Sequence, residues 1–150
     1  MREILFRGKT LLGKWIEGDL LQYLGCGKVH IVQYYKGAGG QEVIPETVGQ
    51  YTGLTDKNGK KIFEGDIVRT QLFSDKPYSS KAKYKQHIGV VEYRVRHFKN
   101  SFYEQDYEGK WIVKISDYGK FTCCNWNEFF KCEVIGNIYD NPKLLRSDTE

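Results

Sequence analysis

No stretch of this sequence approaches the roughly 18 consecutive apolar residues that a membrane-spanning helix needs. The first residues do not read as an export signal, because Arg7, Lys9 and Lys14 interrupt any apolar core. Neither sign of charge dominates. The 23 Lys and Arg face 19 Asp and Glu, and the net of +4 is short of what a dedicated DNA-coating protein carries. Cysteine is sparse: Cys26, Cys123, Cys124 and Cys132. Without an export signal these read as reduced, partly buried thiols of a cytosolic protein, not as a disulfide framework. Proline occurs three times, and there is neither an internal repeat nor a clean linker. A single domain over residues 1–150 is therefore expected.

Aromatic residues and glycine are plentiful. Three Trp, eleven Tyr and eight Phe exclude a disordered chain, which would be poor in aromatics. Sixteen Gly punctuate short apolar runs of period two, the signature of half-buried strands. A first hairpin is expected from 4–7 and 14–17, with a kink at Gly18-Asp19. A strand at 29–35 precedes a flexible glycine loop at 36–40 and a short strand at 42–44. Strand 48–54 bends at its glycines. Asn58-Gly59 supplies the positive φ angles of a tight turn before Ile62-Phe63. Further strands follow at 67–72, 89–98, 111–116 and 132–139. In the second of these Val91, Tyr93 and Val95 are expected to face inward, with Glu92, Arg94 and Arg96 outward. Residues 74–87 read as a polar loop or hairpin end. Asn141 and Pro142 open a short C-terminal helical turn that packs back through Ile138, Leu144 and Leu145. The class is mainly β: a small barrel of the SH3-like kind with added hairpins and a short C-terminal helical turn.

Three stretches together carry a resemblance. They are Phe6-Arg7-Gly8 through Trp15-Ile16-Glu17-Gly18; Ile44-Pro45-Glu46-Thr47-Val48-Gly49 through Asp56-Lys57-Asn58-Gly59 to Phe63-Glu64-Gly65-Asp66; and Val134-Ile135-Gly136-Asn137 through Asn141-Pro142-Lys143-Leu144-Leu145. The combination resembles the YopX family, small proteins carried by phages and prophages of Gram-positive bacteria. Lys143 stands where that family more often has an acidic residue, and residues 71–130 match no family pattern. The resemblance implies a β-rich fold and a tendency to form homo-oligomers. It brings no catalytic residues.

The residues that carry chemistry elsewhere do not converge here. Cys26 and His30 supply only one half of a zinc-type ligand set, and a four-residue step along a strand parts them by roughly 13 Å. Cys124 has no local partner signature with His87 or His97. Glu64 and Asp66, and Glu104, Asp106 and Glu108, flank glycines and read as solvated loop acids. Gly37 to Gly40 lacks the Lys-Ser or Lys-Thr and the helix of a phosphate cradle. No catalytic residue, metal site or cofactor is expected.

One segment has functional colour. Seven basic residues and one acid between Lys76 and Lys99 give +6, which leaves −2 for the rest. Lys81, Lys83 and Lys85 alternate, as do Arg94 and Arg96; Lys99 and the interleaved Tyr84 complete a ribbon suited to phosphates and bases. The same lysines would also blunt an exposed strand edge. The expectation is thus a non-enzymatic phage or prophage accessory protein. It would act by self-assembly and by binding a phage or host protein; the alternative is a nucleic-acid-binding module using Lys76 to Lys99. No membrane partner is expected.

Overall fold

A computed structural model describes residues 3–23, 25–33, 38–73, 84–99, 105–115 and 132–146. The fold is mainly β; the described residues form two antiparallel sheets and two short 3-10 turns. The chain divides into two compact units, Met1–Leu54 with Lys61–Glu64, and Thr55–Lys60 with Gly65–Glu150.

The first unit holds β1 (Phe6–Lys9), β2 (Trp15–Tyr23), β3 (Lys28–Gln33), β4 (Ala38–Val43), β5 (Gly49–Thr55) and β6 (Lys61–Phe63), in the spatial order β4-β3-β2-β1-β5-β6. Its core gathers Ile16, Val29, Ile31 and Val43, with Phe6, Leu20 and Val48 packed against them. Burying each such side chain contributes about 1.5–3 kcal/mol. The β1–β2 hairpin turns at Thr10 to Lys14, where Gly13 takes a φ of 83°. Gly18 does not kink the chain as expected, because β2 runs straight through it. Glycine is needed there for close approach: a Cβ would strike the carbonyl oxygen of Val32. Residues 38–40 likewise belong to β4 and not to a loop, since pairing with β3 fixes them. Among the described residues the expected SH3-like barrel is not closed. The nearest approach to closure is a single bridge, Thr10 to Val43, beside a hydrogen bond from the Ile44 N–H to the Lys9 carbonyl at 2.8 Å.

The second unit holds β7 (Asp66–Phe73), β8 (Tyr84–Lys99), β9 (Gln105–Ile115) and β10 (Glu133–Asn137), ordered β10-β7-β8-β9. Val68, Val91, Val113, Ile115 and Val134 are buried along one face. Ile67 and Ile112, on the other face, are also buried. The loop Thr55–Lys60 belongs to this unit and grips β10 through one side chain. Oδ1 of the buried Asp56 accepts the N–H groups of Asn58 and Lys60 at 2.8 and 2.9 Å, and Oδ2 accepts that of Val134 at 3.0 Å. An Asx turn of this kind satisfies backbone donors that a tight loop would otherwise strand. A 3-10 turn, Pro142–Arg146, closes the described chain. The backbone carbonyl of Asn141 accepts its first bond from Leu144, while its side chain reaches back to the Asn137 N–H. Ile138, Leu144 and Leu145 are half-buried.

Candidate functional site

Strand β8 carries the whole of the sequence-predicted set that the structure describes. Its two neighbours overlap it only in part. β7 pairs with β8 from Tyr84 to Val90, and β9 pairs with it from Gly89 to Lys99. On the β7 side, the last hydrogen bond is from the Gly65 N–H to the Val91 carbonyl at 2.9 Å. From Glu92 onward, β8 and β9 run on as a two-stranded ribbon among the described residues.

Burial follows this geometry and departs from the alternation. Val91, Tyr93 and Val95 share a face, as expected, but only Val91 is inside; Tyr93 is 51% and Val95 49% exposed. The reason is length. A strand of 16 residues outruns a β7 of 8, so the face that is core at Val91 emerges at Tyr93. Opposite them stand Val113, Trp111 and Gly109 in turn. Val113 and Trp111 are buried and Gly109 is exposed. The Tyr93 ring meets Trp111 edge-on at 5.0 Å, and its hydroxyl covers Gly109 where a Cβ would otherwise sit. The Trp111 indole nitrogen is buried and has no hydrogen-bond partner among the described residues. Periodicity gave no warning of this patch, because alternation tells which face a residue takes and not where the core ends.

The basic residues are spread out. Tyr84 lies opposite Phe73, Lys85 opposite Leu72, Arg94 opposite Lys110, Arg96 opposite Glu108 and Lys99 opposite Gln105. At about 3.3 Å per residue, Tyr84 and Lys99 are roughly 50 Å apart along one strand. Along β9 two acids, Asp106 and Glu108, precede two bases, Lys110 and Lys114, and Lys114 pairs with Glu92 at 3.4 Å. Lys81 and Lys83 lie outside the described residues.

Other candidates resolve individually. Cys26 is exposed on a turn, and His30 stacks edge-on against Tyr23 at 5.1 Å. Beside them Gln22, Tyr23, Gly27, Lys28 and Val29 line a cleft of about 240 Å³. Lys28 is held above its ordinary pKa by the hydrogen bond and charge of Glu42, 2.9 Å away. Cys132 is buried, and burial first, then the charges of Asp56 and Asp66, push its thiol up to about 11. That keeps it protonated and unreactive near neutrality. Asp66 is 1% exposed, so it is a buried acid and not the solvated one expected; it opens β7 and is enclosed by the fold. Burial works against ionisation of Asp56, but its three backbone hydrogen bonds outweigh it and lower the pKa. Glu133 is lowered by the hydrogen bond and charge of Lys57 at 2.7 Å. Cys123 and Cys124 lie outside the described residues, as does Glu104. Among the described residues no group of three or more His, Cys, Asp or Glu could hold a metal ion. No helix among them is long and apolar enough to cross a membrane.

Sequence reading also missed Arg7. Its guanidinium lies between the rings of Trp15 and Phe63, 4.8 and 4.7 Å from their centroids, within the first unit. This explains structurally why Arg7 and Trp15 belong to one motif.

Comparison with known proteins places the chain. The profile of the YopX protein family matches residues 5–146. No curated protein matches. A crystal structure of protein EF1440 from Enterococcus faecalis is similar at 22% identity and a TM-score of 0.49, covering 97% of this chain and 99% of that one.

Proposed function

The chain belongs to the YopX family, and we propose that it acts without catalysis, as a phage or prophage accessory protein that works by binding protein in the cytoplasm of a bacterial host. Its first partner is a second copy of itself. The observation that carries this reading is the apolar face that leaves the core along β8. Tyr93 and Val95 are half-exposed beside the aromatic Trp111, on a ribbon with no third strand among the described residues. Exposed aromatic and aliphatic residues continuous with a core are the usual centre of a protein interface.

Light scattering on chromatographed protein, over a wide range of concentration, tests it. The wild type is expected at a multiple of the chain mass, and a Tyr93→Ser/Val95→Ser variant at the mass of one chain. A wild type that stays at one chain throughout overturns the reading.

A second reading, nucleic-acid binding, is favoured by one register fact: Arg94 stands directly opposite Lys110, two cations side by side on one face of the ribbon. It predicts binding of fluorescent DNA or RNA that falls steeply with salt and is lost when Lys81, Lys83 and Lys85 are reversed in charge. Absence of binding at low salt removes it.

A further inference from the structure

Asn58-Gly59 is the one Asn-Gly step in the sequence. Such a step carries a reaction of its own. The Gly59 main-chain nitrogen, once it has given its proton to water, can attack Cγ of Asn58, because glycine has no side chain to hinder the approach. The new N–Cγ bond closes a succinimide ring, and the bond from Cγ to the side-chain nitrogen breaks to release ammonia. Water then opens the ring. Opening at Cγ leaves an aspartate at position 58. Opening at the main-chain carbonyl leaves an isoaspartate, whose backbone runs through Cβ and is longer by that carbon. Water is the sole co-reactant, and nothing is oxidised or reduced.

Solvent reaches the step, since Asn58 and Gly59 are both exposed. The turn nevertheless restrains it. The Gly59 N–H, the one that must be freed, donates to the Asp56 carbonyl at 2.9 Å. Oδ1 of Asp56 holds the chain on either side, through the N–H groups of Asn58 at 2.8 Å and Lys60 at 2.9 Å. Attack needs rotation about the Asn58 Cα–C bond, so these hydrogen bonds must open first. Asp56 is itself fixed by β10. Its Oδ2 accepts the Val134 N–H at 3.0 Å, and beside it the Lys57 N–H donates to the Cys132 carbonyl at 3.0 Å. The reactive step and the hold on β10 therefore share one carboxylate.

We propose that Asn58 is a deamidation site of the native protein, that Asp56 sets its rate, and that the isoaspartate formed there loosens β10 from the loop. The longer backbone moves the Lys60 N–H away from that of Asn58, so one carboxylate oxygen no longer serves both. The product also places a new negative charge two residues from the buried Asp56, and like charges oppose each other's ionisation. Both changes weaken the bond to Val134. The grip on β10 thus declines with the age of the molecule.

The experiment incubates the full chain at physiological temperature and mildly alkaline pH. Peptide mass spectrometry reads amide-to-acid conversion at Asn58, and an isoaspartyl methyltransferase counts isoaspartate. Chain unfolded in urea gives the unrestrained rate. Folded wild type is expected to convert at Asn58 about tenfold or more slowly than that, because hydrogen bonds to a charged acceptor must first open. Asp56→Ala, checked for folding by circular dichroism, is expected to convert about tenfold faster than the wild type. Asp56→Asn, which keeps the shape and loses the charge, should fall between them. The converted chain is then separated by its added charge, and hydrogen exchange at the Val134 amide is expected to be about tenfold faster than in fresh protein. Asn58→Asp, which has the charge without the longer backbone, should show a smaller rise. Absence of conversion at Asn58 in the folded chain overturns the site. Equal rates in the wild type and both Asp56 variants overturn the control by Asp56. Unchanged exchange at Val134 in the converted chain overturns the loosening of β10.

Discussion

Val91 and Val95 are the same residue type on the same face of the same strand, yet one is fully buried and the other half-exposed. Between them β7 ends its pairing and the sheet narrows to a ribbon. At the base, β8 has a strand on each side and apolar residues on both faces, Val91 on one and Val90, opposite the buried Ile67, on the other. Farther out, the same alternation continues with no third strand beside it among the described residues. The comparison teaches that an apolar stripe can serve two ends. Its base contributes to folding, and its continuation is available for association.

The largest test of that division acts at the base. Asp56 holds Val134 at the start of β10 and closes its own loop, so Asp56→Ala strands one buried and two outer backbone donors. A loss of about 2–3 kcal/mol is expected in urea unfolding at neutral pH. The folded carboxyl has a lowered pKa. Its contribution is therefore present above the unfolded value, roughly 3.9, and is lost as pH falls through the lower folded value. The gap between wild type and Asp56→Asn, measured against pH, should begin to close below the unfolded value and vanish once the pH is below the folded one; a gap that stays constant through that fall would show that the charge is not what anchors β10.

Next is the matched pair itself. Val91→Ala removes two buried methyl groups and leaves a cavity, at a cost of about 2 kcal/mol. Val95→Ala, compared at protein concentrations where the chain is single, should change stability by less than about 0.5 kcal/mol. Equal losses at the two sites would erase the distinction between base and ribbon. The smallest effect on folding, and the one that sharpens the comparison, is expected from Val95→Ser, which leaves the Tyr93–Trp111 ring contact in place. That variant should unfold as a single chain much as the wild type does and differ mainly in association.

Much of the architecture was legible beforehand because it rests on local chemistry. Asn58-Gly59 marked the turn, and Gly59 takes a φ of 80°; Glu64-Gly65-Asp66 marked the entry to β7, and Gly65 takes 79°. The family motifs at both ends of the chain coincide with β1–β2, with β5 to β7, and with β10 and the final 3-10 turn. Gly18 was misjudged because its role is to let a neighbouring strand approach, and no local signal records an approach from Val32. Gly39 and Gly40 read as a loop until β3 supplied a partner. Asp66 read as solvated because an acid beside a glycine usually is.

The candidate surface shows the same divide. Amino-acid order alone determined the β class, the turn positions and the shared face of Val91, Tyr93 and Val95, since each follows from backbone geometry over a few residues. Tertiary structure alone decided that β7 is too short to cover β8, that Arg94 lies opposite Lys110, and that Asp56 grips Val134 across 78 positions of chain. The physical reason is that exposure and register are set by where other strands end, and that depends on pairings distant in sequence.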